Sequence, residues 1–276
     1  MSIAEAIIPP QAPPPLGLKA FTASRLAGII FMAIWLALFA GLAFWMVTDF
    51  SGDKFAKYGP RMLWGLGLTL KLVGTSLVLG AILSLPIAFA RMSASSIVSS
   101  IAYGYVYLFR GTPLIMQVFL IYYGLGSFKH AFESVGLWWF FKDAYYCALL
   151  AFVLNTAAYQ AEILRGAILS VPRGQSEAAK ALGIHAIPTF LKVILPQALM
   201  VALRPYGNEI ILMVKGSAIV AVVTVFDLMG ETKYAYSRTF DFQIYLWAAI
   251  LYLSVVELLR NVWNALEKRL TRHLKR

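Results

Sequence analysis

Seven polar side chains stand inside otherwise apolar segments of this 276-residue chain: Gln117, Tyr122, Asn155, Tyr159, Glu162, Lys215 and Ser217. Asn155, Tyr159 and Glu162 recur at helical spacing, as do Thr156 and Gln160, so one helix would hold each set on one face. These are groups for binding rather than for breaking bonds. An ammonium, a carboxylate, amides and hydroxyls in a low-dielectric bundle offer donors and acceptors to a polar solute, and together they could line a central cavity. Two plainer uses compete. Interhelical hydrogen bonds stabilise membrane bundles with no solute present, and Glu162 can pair with Arg165 one turn on.

No site for hydrolysis is visible. The chain has no Gly-x-x-x-x-Gly-Lys-Ser/Thr, and Lys215-Gly216-Ser217 has the wrong order for one, so it is not expected to bind ATP itself. His130, His185 and His273 are far apart and Cys147 is alone, which argues against a zinc site and rules out an intrachain disulfide. Cys147 lies in an apolar run and reads as a small buried hydrophobe. No metal, cofactor or enzymatic activity is expected.

These groups must be positioned by membrane helices. The chain is 60% hydrophobic and 13% charged, with mean hydropathy +0.73, whereas soluble domains are about a quarter charged. An all-α integral membrane protein is expected, with no segment left for a second folded domain. The net charge of +11 gathers at the ends of apolar segments, the positive-inside pattern, which argues against nucleic acid as a partner.

About six transmembrane helices are expected, at residues 26–47, 66–90, 110–126, 144–164, 206–226 and 245–263. Lys71 would snorkel, and Pro86 would kink the second span. Residues 93–109 read as interfacial or as the lead-in to the third span, and Arg204-Pro205 as a break before the fifth. Residues 49–61, 127–143 and 227–241 are the expected external loops, with Trp138 and Trp139 at the membrane–water interface. Lys19 and Arg25 precede the first span, Asp49 and Asp53 follow it, and Lys268, Arg269, Arg272, Lys275 and Arg276 follow the last. Both termini are therefore expected in the cytoplasm. The organisation is a flexible cytoplasmic tail over 1–25, a first span and loop over 26–64, and a membrane domain over 65–276 with a cytoplasmic loop at 166–196. No long internal repeat is present.

That loop holds a polar island, Glu177-Ala178-Ala179-Lys180-Ala181-Leu182-Gly183, followed by Ile194-Leu195-Pro196. Residues 177–182 are good helix formers, Ser170 and Pro172 suit a helix start, and Gly183 can take the left-handed conformation that ends a helix. Pro188 then suits the first turn of a second helix. Glu177 has a plain alternative role, as a carboxylate near the positive end of the helix dipole. Arg165, Arg173, Lys180 and Lys192 place the loop in the cytoplasm on charge alone.

Glu-Ala-Ala, the Gly four residues after the second Ala, and Ile-x-Leu-Pro resemble the EAA loop of ABC-importer permeases. Asn155-Thr156-Ala157, Ala161-Glu162-Ile163, Gly166-Ala167-Ile168, Val171-Pro172-x-Gly174-Gln175, Pro205-x-x-x-Glu209 and Ser217-Ala218 resemble the histidine, arginine and opine permeases within that family. The resemblance runs from about Gly65 to the C-terminus and implies a type I ABC-importer permease core; the span at 26–47 is an addition to it. It implies docking of a cytoplasmic ATPase dimer through Glu177, Ala178, Ala179, Gly183, Leu195 and Pro196. It further implies a periplasmic amino-acid-binding protein, a second permease subunit (a similar chain or a second copy of this one, with the heterodimer favoured) and a polar, basic or opine-type amino-acid substrate in the bacterial inner membrane. Lys215 could then meet the substrate carboxylate. The rival reading is an ion-gradient-driven secondary transporter, which predicts internal repeats and interrupted helices at matching positions. A membrane scaffold without transport is a further rival, disfavoured by the costly polar stripe at 155–162.

Overall fold

The computed structural model describes residues 22–272; most of the expected tail, with Lys19, His273, Lys275 and Arg276, lies outside the described residues. The chain divides after Gly52 into two compact units. In the first, α1 (Ala23–Thr48) is one unbroken helix with no buried residue. It is apolar on every side, which suits contact with lipid all round. The Thr22 side chain accepts from Arg25 N at its start, and the Trp45 indole donates to Asp49 at 2.6 Å at its end.

The second unit begins with α2 (Gly52–Arg91), α3 (Ser96–Gly111) and α4 (Leu114–Phe119), which continues as a π-type turn over Leu120–Gly124. Short α5 (Lys129–Ser134) and α6 (Trp138–Phe141) lead to α7 (Ala144–Ser170). Then come α8 (Arg173–Ala181), α9 (Ala186–Thr189) with a π-type turn over Phe190–Ile194, and α10 (Leu195–Gly216), which tightens to a 3-10 helix over Ser217–Val223. The last helices are α11 (Leu228–Thr239) and α12 (Gln243–Leu270). Five helical stretches are long and apolar enough to cross a membrane, or six if the bent pair α3–α4 is one span. The expected all-α architecture holds.

The core lies where α7 meets α2, α4 and α10. Leu72, Val118, Phe152, Met213 and Val214 fill it, and α7 presents Ala148, Ala151, Ala157, Ala158 and Ala161 to its neighbours, all fully buried. Small residues let membrane helices approach closely. At Gly80 of α2 a Cβ would run into Thr156 of α7. Cys147 is buried in this core, as expected.

The sequence expectations miss in four places. Residues 52–61 are the first turns of α2 rather than loop. Lys54 donates to Asp241 at 2.6 Å, Arg61 to Glu231 at 2.8 Å, and Phe55 packs on Trp247 at 5.5 Å between ring centroids. These ties hold the end of α2 against the corner between α11 and α12. Residues 228–239 are likewise helix, capped by Asp227, whose Oδ1 accepts from Gly230 N at 2.9 Å. No break occurs at Arg204-Pro205, because α10 runs through Pro205. Membrane helices tolerate proline; Pro205 leaves only the Val201 carbonyl without its helical donor, and the Trp263 indole ties the same turn to α12 by donating to the Leu203 carbonyl at 2.8 Å. Finally, the expected third span is a pair. The segment Leu114–Gly124 meets α3 at 105°, and its 11 residues reach only about 16 Å as helix, so it cannot cross a bilayer alone.

Asp227 itself makes a testable point. It is fully buried in the connection between α10 and α11, with Thr69 and Tyr252 hydroxyls 3.3 and 3.5 Å from Oδ2. Burial pushes its carboxyl from the ordinary 3.8 up to about 6. Between those values the folded state keeps a proton that the unfolded state sheds, so stability falls as pH rises through about 4 to 6 and is level above. The contribution is on the order of 3 kcal/mol. Asp227→Asn keeps an acceptor for Gly230 N and removes the titration. Melting of the variant should show a shallower decline over that window than the native protein; identical pH profiles would mean the carboxylate is solvated.

Candidate functional site

The α8–α9 hairpin is built as its residues predict. Gly183 has φ +72°. Ile184 N donates to the Ala179 carbonyl at 2.9 Å and Gly183 N to Lys180 at 3.0 Å, the paired bonds of a glycine-terminated helix. Ala179 is buried, whereas Glu177 and Ala178 face outward. Leu182, Ile184, Ile187 and Leu191 stand exposed around the turn. The hairpin is anchored from the other side: Phe190 packs edge-on against Phe89 of α2 at 5.7 Å. Leu195 and Pro196 open α10, so the hairpin runs on into a helix long and apolar enough to cross a membrane.

The seven pathway candidates do not form one group. Gln117 and Asn155 lock the bend between α3 and α4. Gln117 Nε2 donates to the Phe109 carbonyl, the Thr112 carbonyl and the Thr112 hydroxyl at 2.9, 3.1 and 2.8 Å. Asn155 Nδ2 donates to the Phe109 carbonyl and to Gln117 Oε1, both at 3.0 Å. A bend of 105° frees backbone carbonyls that lipid cannot satisfy, and these two amides satisfy them. Asn155→Ala should therefore cost about 1–3 kcal/mol and lower the melting temperature by roughly 2–12 °C. An unchanged melt would show that the bend holds without it.

Ser217 is buried and donates to the Val214 carbonyl at 2.8 Å, where α10 tightens into its 3-10 turn. Tyr122 lines a separate cavity of about 430 Å³ with Tyr123, Trp138, Phe141 and Lys142. Lys215 is exposed in the last turn of α10.

Tyr159 and Glu162 come together. They share two adjoining cavities of about 350 and 340 Å³, and Arg110 lines both with them. Glu162 is held from two sides. Arg91 Nε donates to Oε1 at 3.0 Å, and Arg165 donates to Oε2 from Nε and Nη2 at 3.0 and 2.8 Å. The pairing with Arg165 was legible from the sequence as the plain alternative; Arg91, 71 residues away, was not. The Arg110 guanidinium lies over the Tyr159 ring, 5.1 Å from its centroid. Arg91 and Arg110 carried only one signal in the sequence, as basic residues at span boundaries.

A third polar contact links α7 to α10. Thr156 Oγ1 donates to Glu209 Oε1 at 2.8 Å, and Gln160 Nε2 donates to Thr156 Oγ1 at 3.0 Å. Glu209 is buried, within a helix long and apolar enough to cross a membrane. An acidic residue in an apolar window was the signal available for it. Among the described residues, no three His, Cys, Asp or Glu side chains gather to hold a metal.

The model of the binding-protein-dependent transport system inner membrane component family matches residues 76–272. The nopaline transport system permease protein NocM of Agrobacterium fabrum is 40% identical over 217 residues, 78% of this chain and 90% of its own. The histidine/lysine/arginine/ornithine transport system permease protein HisM of Escherichia coli is 36% identical over 227 residues, 79% of this chain and 95% of its own. The crystal structure of an amino acid ABC transporter with histidines superposes with a TM-score of 0.70 at 32% identity, over 80% of this chain and 99% of that one. The inward-facing MetNI methionine ABC transporter shares the fold, with a TM-score of 0.65 at 21% identity over 80% of this chain and 100% of that one. The bent α3–α4 pair has no matching interruption among the described spans, as a secondary transporter built of repeats would require. With its matched region covering most of the chain, the protein belongs to the family of binding-protein-dependent transport system inner membrane components.

Proposed function

We propose that this chain is the permease subunit of an importer for polar amino acids, of the basic or opine type, driven by ATP hydrolysis on a separate subunit. The observation that carries it is the α8–α9 hairpin. Its Glu177-Ala178-Ala179 start, left-handed Gly183 and exposed Leu182, Ile184 and Ile187 make a rigid, partly apolar knob suited to a groove on a partner. The knob leads into α10 through Leu195 and Pro196, which suits transmission of ATP-driven closure to the spans. NocM and HisM are named for nopaline and for histidine, lysine, arginine and ornithine, which supports the substrate class. In this reading a loaded binding protein docks outside, ATP closure opens the spans outward, the amino acid enters the polar cavities, and hydrolysis resets the bundle.

The charges at the ends of α1 and α12 support cytoplasmic placement of both termini. Exposed Lys215 supports a second permease. A lysine in a membrane span faces a bundle interior or water, and among the described residues of the second unit Lys215 is left exposed, which suits cover by a second, similar subunit. Of the pathway candidates, Tyr159 and Glu162 line the shared cavities and Lys215 faces outward toward that subunit. Gln117, Asn155 and Ser217 support the path by shaping the helices around it, and Tyr122 lines the cavity at the opposite end of α4.

A tagged pull-down from native membranes in mild detergent tests the reading. An ATPase that co-elutes with the native chain and is lost with the Glu177→Ala/Gly183→Val double variant, at equal membrane levels, is the expected result. Elution of the native chain alone in several detergents would overturn it.

A further inference from the structure

The two cavities shared by Tyr159 and Glu162 carry more positive than negative charge. Arg91, Arg110 and Glu162 line one of them, and Arg165 adds a third guanidinium behind Glu162. Both oxygens of Glu162 are occupied by Arg91 and Arg165, so this carboxylate already has its cations. Arg110 has no such partner at contact: among the described residues no carboxylate lies within ion-pair distance of it, buried Glu209 feels its charge only through space, and its contact is the Tyr159 ring at 5.1 Å. A guanidinium stacked on an aromatic face keeps its in-plane N–H donors free, and that fork matches a carboxylate. Tyr103 and Tyr107 line the same cavity and add hydroxyl donors. The bend locked by Gln117 and Asn155 fixes the end of α3, and with it the backbone that carries Arg110.

We propose that Arg110 is the carboxylate-binding residue of the permease cavity, with Tyr159 as the surface that holds its guanidinium flat. This rests on the amino-acid importer reading above. Its partner would be the α-carboxylate, which basic amino acids and opines both carry. A plainer role competes: a cation in the last turn of a helix is favoured by the helix dipole, and such a role would be indifferent to ligand.

The test uses the assembled complex of this chain with its permease and ATPase partners, in nanodiscs without the binding protein. Binding of L-arginine is compared with that of agmatine, the same molecule without its carboxylate. Native complex should bind arginine more tightly than agmatine. Arg110→Met should weaken arginine about tenfold or more while leaving agmatine unchanged, and Arg110→Lys should recover part of the loss. Equal affinities for the two ligands in the native complex, or equal losses in the variant, would overturn the assignment. Displacement of arginine by phosphatidylglycerol in the native complex but not in Arg110→Met would also overturn it, by giving the anion site to a lipid headgroup. A native complex that binds neither ligand yet imports arginine with its binding protein removes the site alone. One that imports no amino acid removes the importer reading with it.

Discussion

Gly183→Val should reduce uptake about tenfold or more at unchanged membrane levels. Gly183 has φ +72°, a region that costs an L-residue about 1–2 kcal/mol and a β-branched one the most. A Cβ built there meets nothing within 4 Å, so the penalty is conformational and not a clash. The helix-ending bonds from Gly183 N and Ile184 N depend on that conformation. If valine drives the backbone out of it, α9 loses its direction, and the exposed Leu182 and Ile187 no longer present one surface. The series separates conformation from side-chain size. Gly183→Asn should stay near native, since asparagine tolerates the left-handed region, with alanine between asparagine and valine. Uptake and ATPase activity are read together: futile ATP turnover without uptake is the expected signature of valine. Normal uptake by the valine variant would remove the hairpin as the coupling element.

The span positions were legible because lipid leaves little freedom: a run of about twenty apolar residues has to be a helix, and α1 and α7 appear where their apolar runs predict. The α8–α9 hairpin was equally legible, because helix formers, Gly183 and Pro188 are local signals. What failed was what depends on partners distant in sequence. Residues 52–61 look like a mixed-charge loop until Lys54 meets Asp241 and Arg61 meets Glu231, 187 and 170 residues away. Pro205 looks like a break until the turn that holds it packs on α12, where Trp263 donates to the Leu203 carbonyl. The polar candidates show the same limit. A polar residue in an apolar window announces that it needs a partner, but not which one. Gln117 and Asn155 found theirs in the backbone of a bend, Glu162 in two arginines, and Arg110, in sequence just a basic residue beside an apolar run, lines both cavities.

Glu162→Ala should be the most destabilising single truncation in the site. The carboxylate is 13% exposed and holds Arg91 and Arg165, 15% and 29% exposed. Removing one partner of a buried pair costs about 3–5 kcal/mol, because the remaining charge stays desolvated and uncompensated. Here one removal strands two guanidiniums. Arg91 retains the Tyr103 ring, 4.8 Å from its guanidinium, and Arg165 is the more hydrated, so the lower end, about 3 kcal/mol, is expected. The melting temperature should fall by roughly 6–12 °C. Glu162→Gln, which keeps one acceptor but no charge, should fall between. Arg91→Ala should cost less than Glu162→Ala, since Arg165 still grips the carboxylate, and the Glu162→Ala/Arg91→Ala pair should be non-additive because the double variant leaves one fewer stranded cation. Strict additivity, or a native melt for Glu162→Ala, would mean that water already separates these charges. The same contacts divide the labour inside the cavity. With both oxygens engaged, Glu162 fixes Arg91 and Arg165 in place, so its loss is read first as heat lability, whereas the loss of Arg110 is read as a change in which ligands bind.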